Sequence, residues 1–295
     1  MNDPKLLKPV ETTALALAIG EKKANSSFRT LLILGFLGGA FIAFASQAST
    51  MGAFNLLALP AWYGLGKVVA GLIFGGGLVF VLMAGTELFT GNVLITNAWL
   101  CGRVSLYRLL RNWVIVFMAN LLGSLCIAWL LSQSGLWHSG ANLLGGMTIK
   151  LAVGKVTLTF GQALALGILC NWLVCLAVWL SFSTTSTSGK ILAIYLPIFM
   201  FIVSGFEHSV ANMYYIPAGI LAASDPSYVA QATSLGVTPD ALAQLGWGSF
   251  FINNLLPVSL GNIIGGAVFI GMALMYGNGR PDEALIQAMK EKVLK

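Results

Sequence analysis

The sequence predicts an all-α integral membrane protein with six transmembrane helices, arranged as two inverted repeats whose second and fifth helices are broken. Composition is the first observation: 57% of the 295 residues are hydrophobic and only 9% are charged. A water-exposed surface of this size does not tolerate such a ratio. The second observation is a repeat in which each copy holds an acidic residue inside an interrupted apolar segment, which is typical of a transport path between inverted halves.

The repeat consists of three short motifs that recur in the same order. Each half carries a Gly-Lys pair, a Gly-x-Glu motif followed five residues later by asparagine, and an Asn-x-x-Gly motif. In the first half these are Gly66-Lys67, Gly85-Thr86-Glu87 with Asn92, and Asn120 to Gly123; in the second they are Gly189-Lys190, Gly205-Phe206-Glu207 with Asn212, and Asn262 to Gly265.

Six apolar stretches are long enough to cross a bilayer: residues 28–48, 63–99, 106–131, 160–182, 190–222 and 247–275. The transmembrane channel domain is therefore expected over residues 28–276, with inverted repeats at about 28–132 and 160–276. Residues 1–27 suit a retained amphipathic segment on the cytoplasmic face better than a cleaved signal. Residues 277–295 are expected to form a cytoplasmic tail.

Basic residues indicate the orientation. With both termini on one side, that side receives thirteen of the sixteen Lys and Arg residues: Lys5, Lys8, Lys22, Lys23, Arg29, Arg103, Arg108, Arg111, Lys190, Arg280, Lys290, Lys292 and Lys295. Only Lys67, Lys150 and Lys155 fall opposite. The positive-inside rule then places both termini in the cytoplasm of a cell whose cytoplasmic (inner) membrane the chain spans. The net charge of +6 reflects this topology and not nucleic-acid binding.

The second and fifth apolar stretches are each interrupted near the middle, at residues 84–92 and 204–212. Unpaired backbone at membrane depth is tolerated only against protein or a wet cavity, so both breaks should face a shared path. Half-helix N-termini there would offer partial positive charge to an anion. The only ionisable residues deep in the apolar segments, Glu87, Glu207 and His208, all lie in these breaks.

Intramembrane ionisable groups are functional candidates. For Glu87 and Glu207 a structural role is favoured, in which the carboxylate accepts the free N–H groups of the re-entering half-helix. For His208 a path-lining role is favoured, since histidine exchanges a proton near neutral pH. Two separated histidines and four scattered cysteines give no metal-ligand spacing, so neither metal nor cofactor is expected.

Residues 83–91 (MAGTELFTG) and 167–177 (GILCNWLVCLA) resemble the two signature motifs of the formate/nitrite transporter family, and residues 205–213 (GFEHSVANM) resemble its histidine loop. The resemblance covers nearly the whole chain. It implies a homopentamer in which each protomer carries its own pore in an aquaporin-like fold. It also implies transport and not enzymatic activity.

The resemblance assigns roles to individual residues. Thr90 and His208 resemble the family's central pair, and Asn171 resembles the polar residue beside that histidine. Lys155 resembles the vestibule lysine that attracts anions, although a snorkelling lysine at a helix end fits equally. Glu207 and Asn212 are further candidates for the substrate path. The apolar constrictions are expected at Phe74, Leu78 and Phe201 on the cytoplasmic side, and at Phe89 and Val174 on the outer side.

Formate is the favoured substrate, and nitrite or hydrosulfide are alternatives, because all three are small monovalent anions of weak acids. A desolvated anion is costly inside an apolar ring. We therefore expect Lys155 and the half-helix ends to concentrate the anion, and His208 to lend it a proton. Besides these anions, the expected partners are protons and membrane lipid.

Other functions stay open. A proton-coupled secondary transporter would also show inverted repeats and broken helices, but its flux would saturate. A neutral-solute channel of the aquaporin type would share the expected fold, but the Asn-Pro-Ala pair of such channels is absent from this sequence. A membrane enzyme is disfavoured because no nucleophile with a partnered base is found. The segment up to Ser27 is expected either to gate the cytoplasmic mouth or only to pack as a solvated lead-in.

Overall fold

The computed structural model describes residues 6–293, and side chains as far as residue 291. Lys5, Lys292 and Lys295, which the charge pattern assigns to the cytoplasmic side, have side chains outside the described residues. The chain folds into helices: α1 Pro9–Ala24, α2 Phe28–Leu57, α3 Tyr63–Phe74, α4 Gly76–Met83, α5 Phe89–Asn92, α6 Ile95–Leu100, α7 Leu106–Gln133, α8 Leu143–Val156, α9 Phe160–Phe182, α10 Thr187–Ser204, α11 Ser209–Ala222, α12 Pro226–Ser234, α13 Pro239–Ala243, α14 Trp247–Ser249, α15 Leu256–Ile264, α16 Ala273–Gly277 and α17 Glu283–Val293.

Six of the described helical segments are long and apolar enough to cross a membrane: Phe28–Leu57, Pro60–Met83, Leu106–Gln133, Phe160–Phe182, Thr187–Ser204 and Trp247–Gly277. The sixth joins α14, α15 and α16 through two π-helical stretches, Phe250–Leu255 and Gly265–Met272. The chain is thus a multi-pass all-α membrane protein, as the composition predicts.

The first membrane-spanning helix, α2, is longer than the apolar stretch 28–48 indicates. Its last turns contain Ser49 and Thr50, which end the apolar pattern, yet both side chains are buried. Their hydroxyls donate to the carbonyls of Ala70 and Ser46. Because these polar groups are satisfied by backbone acceptors, the helix continues to Leu57.

The second and fifth helices are interrupted at residues 84–88 and 205–208. Each interruption contains a glycine in the left-handed region at or next to its first residue, Gly85 at φ +70° and Gly205 at φ +79°. Glycine adopts this conformation without a Cβ clash, so it ends one half-helix and lets the chain turn into the next. The interruptions place the Gly-x-Glu motifs in non-helical chain.

Corresponding helices of the two repeats pack closely through glycine. A Cβ on Gly123 of α7 would collide with the carbonyl group of Phe36 in α2. A Cβ on Gly265 at the end of α15 would likewise collide with the carbonyl group of Ile168 in α9. Small residues at these crossings let the helix backbones touch, which is how membrane helices gain packing energy.

The N-terminal helix α1 is part of the packed protein and not a solvated lead-in. Its residues from Thr12 to Ala18 are buried. Leu15 and Leu17 join a hydrophobic cluster with Ile286 and Met289 of α17. The two ends of the described chain therefore lie together on one side of the membrane-spanning bundle.

An ion-pair cluster, which we call the terminal clamp, holds this arrangement. It comprises Glu21, Arg103, Glu283 and Lys290. Arg103 pairs with Glu21 at 3.0 Å and with Glu283 at 2.5 Å, and Lys290 pairs with Glu21 at 2.9 Å. Burial alone would raise the pKa of Glu21, but hydrogen bonds from Lys290 and Arg103 outweigh it and lower that pKa. The hydrogen bond from Arg103 lowers the pKa of Glu283.

The terminal clamp predicts how α17 responds to charge and pH. Since both carboxyl pKa values are lowered by docking, the clamp stabilises docking above the ordinary glutamate pKa and weakens as the pH falls through the lowered values. Glu21→Gln should make the amides of α17 exchange with deuterium about two- to fivefold faster at neutral pH, since exposed ion pairs contribute up to ~1 kcal/mol. Glu291→Gln is the control, because Glu291 lies on the same helix and its hydrogen bond within the described part of the chain is from Gln287. Equal exchange in both variants would contradict the clamp.

Candidate functional site

The two breaks bring Thr90 and His208 together at the centre of the bundle. Thr90 lies in α5, the short helix that follows the first break, and His208 is the N-cap of α11. Thr90 Oγ1 and His208 Nε2 lie 2.8 Å apart. Both side chains are buried. The structure thus joins the two residues that the family resemblance pairs, one from each repeat.

The backbone decides which nitrogen of His208 carries its proton. The N–H of Ala211 donates to His208 Nδ1 at 3.0 Å. A ring nitrogen that accepts a hydrogen bond has no hydrogen, so neutral His208 is protonated on Nε2. Its Nε2–H then donates to Thr90 Oγ1, which leaves the Thr90 hydroxyl hydrogen free for another acceptor. The pair therefore presents a hydroxyl donor at the centre of the protein.

A polar network surrounds the first break. Lys23 Nζ, from the end of α1, donates to Glu87 Oε2 at 2.8 Å and to Asn92 Oδ1 at 2.9 Å. Asn92 Nδ2 donates to Glu87 Oε2 at 2.7 Å and to Asn112 Oδ1 at 2.9 Å. Asn112 Nδ2 closes the network on the carbonyl oxygen of Lys23 at 3.0 Å. The carboxylate of Glu87 is thus neutralised by a lysine that lies outside the membrane spans.

The second break carries the same network in the other repeat. Lys155 Nζ, from the end of α8, donates to Glu207 Oε1 at 2.7 Å. Asn212 Nδ2 donates to Glu207 Oε2 at 2.7 Å and to Asn254 Oδ1 at 2.8 Å. Asn254 Nδ2 reaches the carbonyl oxygen of Lys155 at 3.0 Å. One difference is that Asn212 Oδ1 has no partner among the described residues, whereas Asn92 Oδ1 accepts from Lys23.

Asparagine side chains, together with His208 at the second break, accept the free N–H groups of the half-helices, and the glutamates do not. Asn120 Oδ1 accepts the N–H of Phe89 at 2.9 Å, and Asn262 Oδ1 accepts the N–H of Ser209 at 2.9 Å. The expectation that the carboxylates of Glu87 and Glu207 take up these N–H groups is therefore wrong. Each glutamate instead points at lysine and asparagine side chains, because an ammonium group offers a carboxylate a stronger, charge-assisted bond.

The sequence reasoning missed Lys23, Asn112 and Asn254 as members of these networks. The signal was present in the spacing. Lys23 precedes the first residue of α2 by five positions, as Lys155 precedes the first residue of α9. Asn112 precedes Asn120 by eight positions, as Asn254 precedes Asn262. A comparison extended beyond the Gly-x-Glu motifs would have found them.

Asn171 lies beside Thr90 and not in a bond with the histidine ring. Its Nδ2 donates to the carbonyl oxygen of Thr90 at 3.1 Å and to that of Asn262 at 2.6 Å. Its Oδ1 is buried without a hydrogen-bond partner among residues 6–293. Asn171 therefore fixes the backbone of the first break and keeps one acceptor available at the protein centre.

Two cavities approach the central pair from opposite ends. The first, which we call the lysine cavity, has a volume of about 350 Å³, and Lys67, Lys150, Lys155 and Glu207 are among its lining residues. The second, which we call the α1 cavity, is about 40 Å³ and is lined by parts of α1 together with Leu78 and Val178. Positive charge is therefore concentrated at the lysine cavity.

Apolar side chains separate the lysine cavity from His208. Phe74 and Phe201 meet edge to face with ring centroids 5.6 Å apart, and Phe201 lies 5.9 Å from the His208 ring. Ala70, one turn before Phe74, lines the lysine cavity, and so does Ile202, next to Phe201. Phe74 and Phe201 therefore form the apolar layer that faces the lysine cavity.

The other predicted constriction residues lie nearer the α1 cavity. Leu78 lines it directly. Val174 is one turn from Val178, which also lines it, and Phe89 packs edge-on against Phe117 of α7 with centroids 5.0 Å apart.

The sides assigned to Phe74, Phe201, Phe89 and Val174 are therefore wrong, whereas Leu78 lies toward α1, on the side that was expected for it. Phe74 and Phe201 lie toward Lys155 and not toward the chain termini, while Phe89 and Val174 lie toward α1. The reason is the direction of the second membrane-spanning segment, Pro60–Met83. It starts beside the lysine cavity and reaches the α1 cavity only at Leu78. Earlier residues on this helix are thus closer to Lys155.

Comparison with known proteins identifies the family of this chain. Residues 10–276 match the family described as formate/nitrite transporter. The chain is 40% identical over 277 residues to formate channel FocA of Haemophilus influenzae, covering 92% of this chain and 94% of that protein. It is 40% identical over 285 residues to a probable formate transporter of Methanothermobacter thermautotrophicus, covering 91% of this chain and 96% of that protein.

Among solved structures, a pentameric formate channel with formate bound superimposes with a TM-score of 0.76 at 38% sequence identity. The match covers 84% of this chain and 97% of the other. Since the family match spans nearly all the described helices, the protein is a transport protein and not an enzyme. The chain belongs to the formate/nitrite transporter family.

Proposed function

We propose that this chain forms a pore through which formate crosses the membrane, and that His208 exchanges a proton with the substrate. The observation that carries the proposal is the buried Thr90–His208 pair, which lies between apolar layers and below a cavity lined by three lysines. The named relatives, which include formate channels, support the choice of formate.

The energetic problem of the pore is the transfer of an anion past Phe74 and Phe201. A carboxylate stripped of water there loses several kcal/mol or more, and no full positive charge stands in the layer to compensate it. The Thr90 hydroxyl offers one hydrogen bond, which recovers only ~1.5–3 kcal/mol with an ionised acceptor. Neutralisation by a proton removes most of this barrier.

His208 can supply that proton only after it has taken up a second one. The neutral ring holds its hydrogen on Nε2, and a second hydrogen on Nδ1 displaces the N–H of Ala211. An anion beside Nε2 offsets this loss, because opposite charges favour the protonated ring. The Nε2–H bond then breaks as an O–H bond forms on formate, and formic acid crosses as a neutral molecule. The ring is left neutral with its hydrogen on Nδ1, and it regains its resting form when Nε2 takes up a proton from water and Nδ1 releases one. Protonation is thus coupled to the presence of substrate.

Assembly and orientation complete the proposal. We propose a homopentamer in the cytoplasmic (inner) membrane, with a pore in each protomer and both termini in the cytoplasm. The pentameric structural relative supports the assembly. The basic residues near the terminal clamp, including Arg103, Arg108 and Lys290, support the orientation.

Flux into liposomes that hold the purified protein tests the function. We expect formate to move faster than nitrite or hydrosulfide, with weak saturation. Its flux should exceed the rate in protein-free liposomes and should rise as the external pH is lowered. Faster movement of nitrite or hydrosulfide would replace formate as the substrate. No movement of any of the three anions above the protein-free rate would contradict the pore.

A further inference from the structure

The three lysines of the lysine cavity differ in their partners. Lys155 forms an ion pair with Glu207 at 2.7 Å and lies 5.2 Å from the centre of the Tyr215 ring. Lys150 Nζ donates to the carbonyl oxygen of Leu235 at 2.9 Å. Lys67 Nζ forms neither a hydrogen bond nor an ion pair with any residue between 6 and 293, where the ion pairs are made by Lys23, Arg103, Lys155 and Lys290. The positive charge that is available to a ligand therefore belongs to Lys67.

Lys67 also stands directly before the apolar layer. It precedes Phe74 by seven residues on the same helical segment, which is two turns, so both side chains share one helix face about 10 Å apart along the axis. Its Nζ lies close to Gly205, where a Cβ would be 3.5 Å away. The ammonium group is thus held between the second helix and the break that carries His208.

The repeat supplies no equivalent free charge beside the α1 cavity. Lys190 occupies the matching position in the Gly-Lys pair, but it does not line either cavity. The lysine that does line the α1 cavity, Lys23, is bonded to both Glu87 and Asn92. Among the described residues that line the two cavities, the unpaired cation is therefore found at the lysine cavity.

We propose that Lys67 is the anion-binding residue of the lysine cavity, where it holds a small monovalent oxyanion such as formate before the Phe74–Phe201 layer. This proposal rests on the proposed passage of formate. It assigns Lys155 a different role, because its charge is neutralised by Glu207 within the polar network. The 350 Å³ of the cavity admits formate together with part of its hydration shell.

A structural role is the alternative that the test must separate. Lys67 Nζ lies near Gly205, where α10 ends, and a cation near a helix C-terminus stabilises the helix. In that case Lys67→Gln would lower thermal stability, and any slowing of flux would be equal at every ionic strength. Anion attraction instead weakens as salt screens it.

The experiment measures exchange of ¹³C-labelled formate across liposomes at equal concentrations inside and outside. Under these conditions a passive pore carries equal flux in both directions, so the orientation of the protein in the vesicle does not matter. Lys67→Gln is compared with the wild type and with Lys190→Gln, the same change at the repeat-matched lysine. Lys67→Arg retains the charge, and thermal unfolding of each variant monitors the fold.

At an ionic strength of about 10 mM we expect Lys67→Gln to slow exchange about three- to tenfold, because local charge concentrates anions at a mouth. At about 300 mM the difference should shrink below about twofold. Lys190→Gln should match the wild type, and Lys67→Arg should retain most of the rate. Wild-type rates in Lys67→Gln, or equal slowing at both salt concentrations, would overturn the site alone. Wild-type exchange no faster than in protein-free liposomes would overturn the proposed function itself.

Discussion

His208→Asn is expected to abolish the pH response of formate flux. In the wild type, flux should rise by about tenfold or more between pH 7 and pH 5. Each formate that crosses as formic acid takes one proton from His208, and protons to replace it become more available as the pH falls. Asparagine cannot carry a proton at these pH values. The variant should therefore move formate at a slow, nearly constant rate, and the measurement is formate uptake into liposomes at several external pH values.

Asparagine is the informative replacement because it keeps the local fold. The N–H of Ala211 needs an acceptor at position 208, and asparagine is among the most favoured N-cap residues. His208→Phe removes both the proton and the cap, so a defect in that variant alone would indicate a structural role. A His208→Asn protein whose flux still rises as the pH falls, after subtraction of the protein-free rate, would contradict proton exchange at His208.

Thr90→Val is a matched companion that removes the hydroxyl and keeps the side-chain shape. Valine leaves His208 Nε2–H without its acceptor but keeps the Ala211 bond that fixes the ring. Flux should fall, while its dependence on pH should persist, since the proton donor is still present. A comparison of the two variants in the same vesicles therefore separates substrate binding by Thr90 from protonation by His208.

Much of this architecture was predictable because the bilayer constrains sequence strongly. The composition and the apolar stretches predict the six membrane helices, and the Gly-x-Glu motifs mark where two of them are interrupted. Membrane depth leaves few positions for ionisable groups, so Glu87, Glu207 and His208 are conspicuous. The pairing of Thr90 with His208, however, depended on resemblance to a family, since one lies in each repeat, 118 residues apart.

What the sequence could not supply was the set of contacts made by residues outside the apolar stretches. Lys23 lies in a segment whose composition suits a solvated helix, and only the packing of α1 brings it to Glu87. The assignment of Phe74 to a side of the membrane failed for a related reason. A position along an interrupted helix does not reveal which cavity it faces until both cavities are seen.

The second large effect is expected for Asn262→Leu, which removes the cap of the second break. Asn262 Nδ2 donates to the carbonyl oxygens of Gly167 and Glu207 at 2.8 and 3.0 Å, and its Oδ1 accepts the N–H of Ser209. Leucine fills a similar volume but leaves all three backbone groups unpaired in a buried, apolar region. The cost should be about 3 kcal/mol or more, at ~1–3 kcal/mol for each buried group left unsatisfied.

Thermal unfolding in detergent measures this loss, and a fall in the midpoint of about 5–10 °C is expected for a chain of this size. Asn253→Leu, an exposed position on the same membrane-spanning segment as Asn262, is the control and should change stability by less than about 0.5 kcal/mol. Asn120→Leu should be as costly as Asn262→Leu, because Asn120 bonds Gly35, Glu87 and Phe89 in the same pattern. Large effects at both positions would show that each break is stabilised by an asparagine that bonds three backbone groups. A wild-type midpoint in Asn262→Leu would contradict this role.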